Sequence, residues 1–112
     1  MSRVRITETL DIELDDEQWV CNRCDTVLGP ARENYKLHLR AWARDPETIH
    51  PPLVEGEISL SPKAAWGMLV ELYCPGCGVM VENELLPPGH PLTHDIELDL
   101  DDLRRRVAEA GR

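Results

Sequence analysis

The sequence predicts a mainly β chain that ends in one short C-terminal helix, and three patterns predict it. Apolar and polar residues alternate over residues 4–14, two strand-like runs flank the turn Cys74-Pro75-Gly76-Cys77-Gly78, and residues 99–110 carry apolar side chains at helical spacing. A chain of 112 residues lies in the usual range for one domain, and residues 1–112 are read as one. Folding at this length buries about two-thirds of the surface that the unfolded chain exposes. The aromatic set is Trp19, Trp42, Trp66, Tyr35 and Tyr73, with no Phe, so few large side chains are available to fill an interior. Such a core profits from a staple.

The elements follow in order. Val4, Ile6, Leu10, Ile12 and Leu14 have the period-two spacing of a half-buried strand or pair of strands. Asp15-Asp16-Glu17 marks a turn, and Gln18-Trp19-Val20 leads as a short extended segment into Cys21, with Gly29-Pro30 closing the unit. Residues 32–44, with Tyr35, Leu37, Leu39, Ala41 and Trp42, fit neither period and stay open between helix and strand. Residues 45–62 hold Pro46, Pro51, Pro52 and Pro62; fixed φ and missing N–H groups exclude a regular interior element across most of them, which leaves a proline-rich loop or arm. Residues 66–73 and 79–86 read as the two strands of a hairpin, ended by Pro87-Pro88-Gly89. A polar connection through His90 and His94 leads to Ile96-Glu97-Leu98 and then to the helix, which places Leu100, Leu103, Val107 and Ala110 on one face and Asp101 and Asp102 near the positive end of its dipole. The run Asp11-Ile12-Glu13-Leu14-Asp15 recurs at residues 95–99; five residues are too few for a structural repeat, and the recurrence is read as shared strand composition.

Composition removes several functions. No apolar run approaches the roughly 20 residues that span a bilayer, and Met1-Ser2-Arg3-Val4-Arg5 leads into polar alternation rather than a signal-peptide core, so a soluble, cytoplasmic protein is expected. The net charge of −9, from 21 acidic against 12 basic residues, repels a phosphate backbone, and no nucleic-acid or membrane partner is expected. Acidic clusters at residues 11–17 and 95–102 and the run Arg104-Arg105-Arg106 read as solvated faces. The glycines are scattered and no serine sits in a nucleophile elbow, so the sequence offers no catalytic set. His90 and His94 stand four apart, but Pro91 between them opposes a helix; with His38 and His50 they read as surface histidines.

The strongest chemical signal is a pair of C-x-x-C motifs, Cys21-Asn22-Arg23-Cys24 and Cys74-Pro75-Gly76-Cys77. Each offers two soft thiolates from one tight turn, and together they make a four-cysteine site for one structural zinc ion on a zinc-ribbon-like hairpin. Gly78 can take the positive φ that turns backbone N–H groups toward the sulfurs. The pairs are separated by residues 25–73, so the ion closes a long loop and supplies about 10 kcal/mol of apparent binding free energy to folding. A thioredoxin-like dithiol would open a helix in a strand–helix–strand unit, which neither pair does. Iron–sulfur clusters use the same ligands, though the hairpin favours zinc. Four cysteines close the shell that a catalytic zinc leaves open.

The run from Trp19 to Cys24, Gly29-Pro30-Ala31-Arg32-Glu33-Asn34-Tyr35-Lys36, and Tyr73-Cys74-Pro75-Gly76-Cys77-Gly78 followed by His90-Pro91-Leu92 resemble the small subunit of ATP-dependent ketone carboxylases, that is, the acetone carboxylase gamma and acetophenone carboxylase small subunit family. The resemblance covers residues 19–103 and rests on the combination. It implies a zinc-binding accessory subunit, with Cys21, Cys24, Cys74 and Cys77 as its ligands, in a hetero-oligomer whose large chains, related to hydantoinases and oxoprolinases, use ATP to join bicarbonate to a ketone. Two other classes stand beside it. A free-standing zinc-ribbon adaptor for protein or nucleic acid needs a basic, aromatic face, against which the charge speaks; an independent enzyme needs convergent acid–base groups, and only scattered carboxylates and histidines are present.

Overall fold

The computed structural model describes residues 3–49 and 66–110. Its elements are strands β1 (Arg3–Arg5), β2 (Leu10–Glu13), β3 (Gln18–Cys21) and β4 (Val27–Pro30), a 3₁₀ turn over Tyr35–His38, strand β5 (Arg40–Arg44), a single helical turn α1 (Pro46–Ile49), strands β6 (Met68–Tyr73) and β7 (Met80–Leu86), and helix α2 (Leu100–Ala110). The mostly-strand class with a terminal helix is therefore observed. The chain divides into two compact units, Met1–His38 with Thr93–Arg112, and Leu39–Leu92.

The first unit is built on an antiparallel sheet in the order β1-β2-β3-β4. The alternation over residues 4–14 does form a pair of strands, and its register explains the pattern: Val4 faces Ile12, and Ile12 faces Trp19. These residues share one side of the sheet because partners across a ladder point the same way. Leu10, Ile12, Trp19, Cys21 and Leu28 are fully buried, each aliphatic one contributing about 2 kcal/mol of burial. Tyr35 joins them with its ring 5.2 Å from that of Trp19, while the indole N–H of Trp19 donates to the Glu33 carbonyl at 3.2 Å. Strand β4 was not expected. Four residues containing Gly29 and Pro30 read as a terminator, but at the sheet edge proline sacrifices no ladder bond, and Gly29 carries a φ of +93°.

Helix α2 begins one residue later than the predicted span because Asp99 is its cap: the Asp99 carboxylate accepts from the Asp102 N–H at 3.0 Å, which satisfies one of the first-turn donors. Leu100 is buried, and Arg104 binds the Leu14 carbonyl and Glu17, tying the helix to the β2–β3 turn. The second copy of the repeated pentapeptide is no strand. Residues 95–99 are irregular, so the reading as shared strand composition fails there; Leu10–Glu13 has strands on both sides, whereas no described strand pairs with residues 95–99.

The second unit is the antiparallel sheet β5-β6-β7. The undecided stretch 32–44 resolves into the 3₁₀ turn and β5, and its mixed periodicity came from straddling both. β6 and β7 form the predicted hairpin around Cys74–Gly78, with Leu69 facing Leu85 and Glu71 facing Asn83; β5 adds Trp42 opposite Glu71. Arg44 lies 4.6 Å from the Trp42 ring and pairs with Glu71 at 3.4 Å. Of the predicted arm, residues 50–62 lie outside the described residues. Its start is the turn α1, with Pro46 at the first helical position and the Asp45 carboxylate accepting from the Glu47 N–H at 2.9 Å.

Candidate metal centre

Both cysteine pairs sit in the same backbone turn. In the first, the Cys21 N–H donates to the Thr26 carbonyl at 2.9 Å and the Asp25 N–H to the Cys21 carbonyl at 2.8 Å. In the second, the Cys74 N–H donates to the Val79 carbonyl at 2.9 Å and the Gly78 N–H to the Cys74 carbonyl at 2.9 Å. The spacing of donors and acceptors is identical, and in each turn the residue after the second cysteine is left-handed: φ is +63° at Asp25 and +77° at Gly78. The positive φ expected of Gly78 is thus present, and Asp25 does the same work in the other turn. That role escaped the sequence reading, although aspartate is among the side chains enriched in this conformation. Asp25 is held by Arg3 at 2.6 Å, a hydrogen bond that, with the attraction of the carboxylate, raises the Arg3 pKa.

The ligand atoms of Cys21, Cys24, Cys74 and Cys77 all lie within 4.8 Å of one another. Around a tetrahedral ion with metal–sulfur bonds of about 2.3 Å, sulfurs stand about 3.8 Å apart, so this cluster fits a metal ion with little adjustment. Surrounding polar groups suit thiolates: the Gly76 N–H points at Cys74 Sγ at 3.4 Å, and the Thr26 hydroxyl lies 3.0 Å from Cys24 Sγ. Cys21 and Cys74 are buried, Cys24 is half-buried and Cys77 is exposed. Asn22 anchors the first turn to the lead into β2, donating from its backbone to the Thr9 carbonyl at 2.9 Å and from its side chain to Asp11 at 3.1 Å.

Among the described residues, no histidine belongs to this group. His38 lies over Gly29, where an added Cβ would come within 2.3 Å of its Nε2, and it faces Glu33 at 3.7 Å. His90 contacts the Pro91 carbonyl at 2.6 Å, and His94 is exposed. His50 lies outside the described residues.

One further cluster was missed. Lys36 is only 1% exposed, with its ammonium 3.3 Å from Asp95, and Tyr35 donates to the same carboxylate at 3.3 Å. A lysine in sequence reads as surface, and only the fold discloses its burial. The cluster ties the segment before α2 to the 3₁₀ turn. In the same unit Glu17, held by Arg104 and Arg32, has its pKa lowered.

A family model described as acetone carboxylase gamma subunit matches residues 4–108. The acetophenone carboxylase beta subunit of Aromatoleum aromaticum is 50% identical over 105 residues, covering 94% of this chain and 81% of that protein. The acetone carboxylase gamma subunit of Xanthobacter autotrophicus is 31% identical over 74 residues, 62% of this chain and 40% of the relative.

Proposed function

This chain belongs to the acetone carboxylase gamma subunit family, and on that premise we propose that it is a small zinc-binding accessory subunit of a multi-subunit, ATP-dependent ketone carboxylase. The zinc ion is structural, and the chemistry resides on large partner chains of the hydantoinase and oxoprolinase type. The observation that carries this reading is the gathering of four cysteine sulfurs within 4.8 Å in a chain matched by that family model along most of its length. Soft thiolates favour zinc over the harder divalent ions, and four of them leave no open position for substrate. The metal's contribution is to hold two turns, far apart in sequence, in one arrangement. Residues 1–112 then act as a single zinc-stabilised domain.

The test is to purify the native assembly and measure its chains and metal together. Large carboxylase chains recovered with about one zinc per copy of this subunit are the expected result. Cys77→Ser should lower both zinc content and assembly, because a hydroxyl is a poor zinc ligand. A folded, metal-free Cys77→Ser chain that still assembles would remove the structural role, and a subunit recovered without large chains would remove the accessory role.

A further inference from the structure

We propose that the pocket on the outer side of the four-stranded sheet receives a lysine or arginine side chain from a partner subunit; this rests on the accessory-subunit reading above. The register puts Arg3, Glu13 and Gln18 in one row and Arg5, Asp11, Val20 and Val27 in the next, on the side opposite Ile12 and Trp19. There the structure holds a pocket of about 190 Å³, whose lining includes Glu13, Asp15, Asp16 and Asp25 against the single guanidinium of Arg3. Four carboxylates and one cation leave a surplus of three negative charges.

Glu13 makes the surplus specific. It is only 6% exposed, and neither of its carboxylate oxygens accepts a hydrogen bond among the described residues. Its ionic neighbour, Arg3, stands off at 3.7 Å because the same guanidinium is engaged at 2.6 Å with Asp25. A carboxylate withdrawn from water without hydrogen bonds is unfavourable, and a second cation in the pocket would satisfy it.

Val20 and Val27 decide which cation. They supply an apolar wall to the pocket, and Val27 is half exposed. A hydrated metal ion gains nothing from valine side chains, whereas lysine and arginine lay an aliphatic stem on such a wall and carry the charge to its end. The space equals about six water volumes, enough for such a side chain. Charge complementarity of this kind fixes orientation and speeds association between subunits.

The experiment titrates this chain, metal-loaded, against the large chains of its complex at low and at physiological salt. It compares the natural protein with Asp15→Asn/Asp16→Asn and with Glu13→Gln. Asp15 and Asp16 are exposed, so the double variant keeps its fold even if the Glu13 variant does not. The expected result is an affinity at least about tenfold weaker in the double variant, with a flatter salt dependence and unchanged metal content. Affinity within about twofold of the natural protein overturns the pocket proposal and leaves the accessory role intact. Failure of the natural protein to bind any large chain overturns both. Calorimetric binding of Mg²⁺ or Ca²⁺ that the double variant loses, with partner affinity unchanged, assigns the pocket to a metal ion instead and also overturns the proposal.

Discussion

The two cysteine turns are the same backbone built with different residues, so exchanging the left-handed residue should act asymmetrically. At Gly78, φ is +77° and an added Cβ would meet nothing within 4 Å. Gly78→Ala therefore carries no steric penalty and isolates the conformational one, about 1–2 kcal/mol for an L-residue in this region, less the several tenths that alanine gains by stiffening the unfolded chain. A net loss of about 1 kcal/mol results. At Asp25 the strain is already present, and Asp25→Gly relieves it. That variant also forfeits the Arg3–Asp25 bridge at 2.6 Å, in which Asp25 is 72% exposed, and an exposed pair contributes at most about 1 kcal/mol. Added freedom of the unfolded glycine takes up the remainder, so Asp25→Gly should be close to neutral. Urea unfolding at a fixed excess of metal separates the two: with a slope of about 1–2 kcal/mol/M, Gly78→Ala should lower the midpoint by roughly 0.5–1 M, and Asp25→Gly should leave it almost in place. Fixed metal matters because ligand activity itself shifts apparent stability. Equal stability of Gly78→Ala and the natural protein would refute the argument, since it leaves no cost for the left-handed backbone.

Three other outcomes follow from the same structure. Chelation should remove hydrogen-exchange protection from β5, β6 and β7 before β2 and β3, measured by mass spectrometry of peptides from each sheet; simultaneous loss would show that the metal supports both units equally. Asp99→Ala should cost about 1 kcal/mol through loss of the cap on α2, checked by thermal denaturation and by helicity in the far ultraviolet. Glu17 has its pKa lowered, first by its hydrogen bond to Arg104, so its charge stabilises the fold above the ordinary carboxylate range and that stability disappears as pH falls through the folded-state value. The deficit of Glu17→Gln relative to the natural protein should therefore be fully present at neutral pH and close below about pH 4, and a deficit constant with pH would assign the effect to packing.

Where periodicity spanned one element, the sequence was legible: the strand pair at residues 4–14, the hairpin around Cys74 and the apolar face of α2 all follow from spacing that each element imposes on its own side chains. The gathering of the four cysteines was legible as well, because two C-x-x-C turns can each offer a pair of thiolates to one centre. What was not legible depended on neighbours. β4 exists because β3 lies beside it, whatever Gly29 and Pro30 suggest locally. The buried Lys36 is set by Asp95, nearly sixty residues away, and no local rule predicts that pairing. The pentapeptide at residues 11–15 and 95–99 makes the same case within one chain: identical side chains enter a sheet in the first copy and end as a helix cap in the second.

Among the described residues the hydrophobic side chains are distributed unevenly, and this bears on what the proposed metal would do. The first unit fully buries Leu10, Ile12, Trp19, Leu28 and Tyr35, whereas from β5, β6 and β7 Leu72 and Leu86 are the buried aliphatic side chains, and Trp42, Met80 and Leu85 remain exposed. Trp42 and Leu85 also share a face, since their partners Glu71 and Leu69 are two apart on β6. Among the described residues, this three-stranded sheet buries few large apolar side chains, and a small sheet gains little apolar stabilisation from so few. Its hairpin turn, however, carries Cys74 and Cys77, and about 10 kcal/mol of metal-binding free energy exceeds anything those two leucines can supply. On the accessory-subunit reading proposed above, a site so placed serves to hold structure. An ion that left one coordination position open to serve a reaction would give up one of its four anchors, and the weaker sheet would bear the loss.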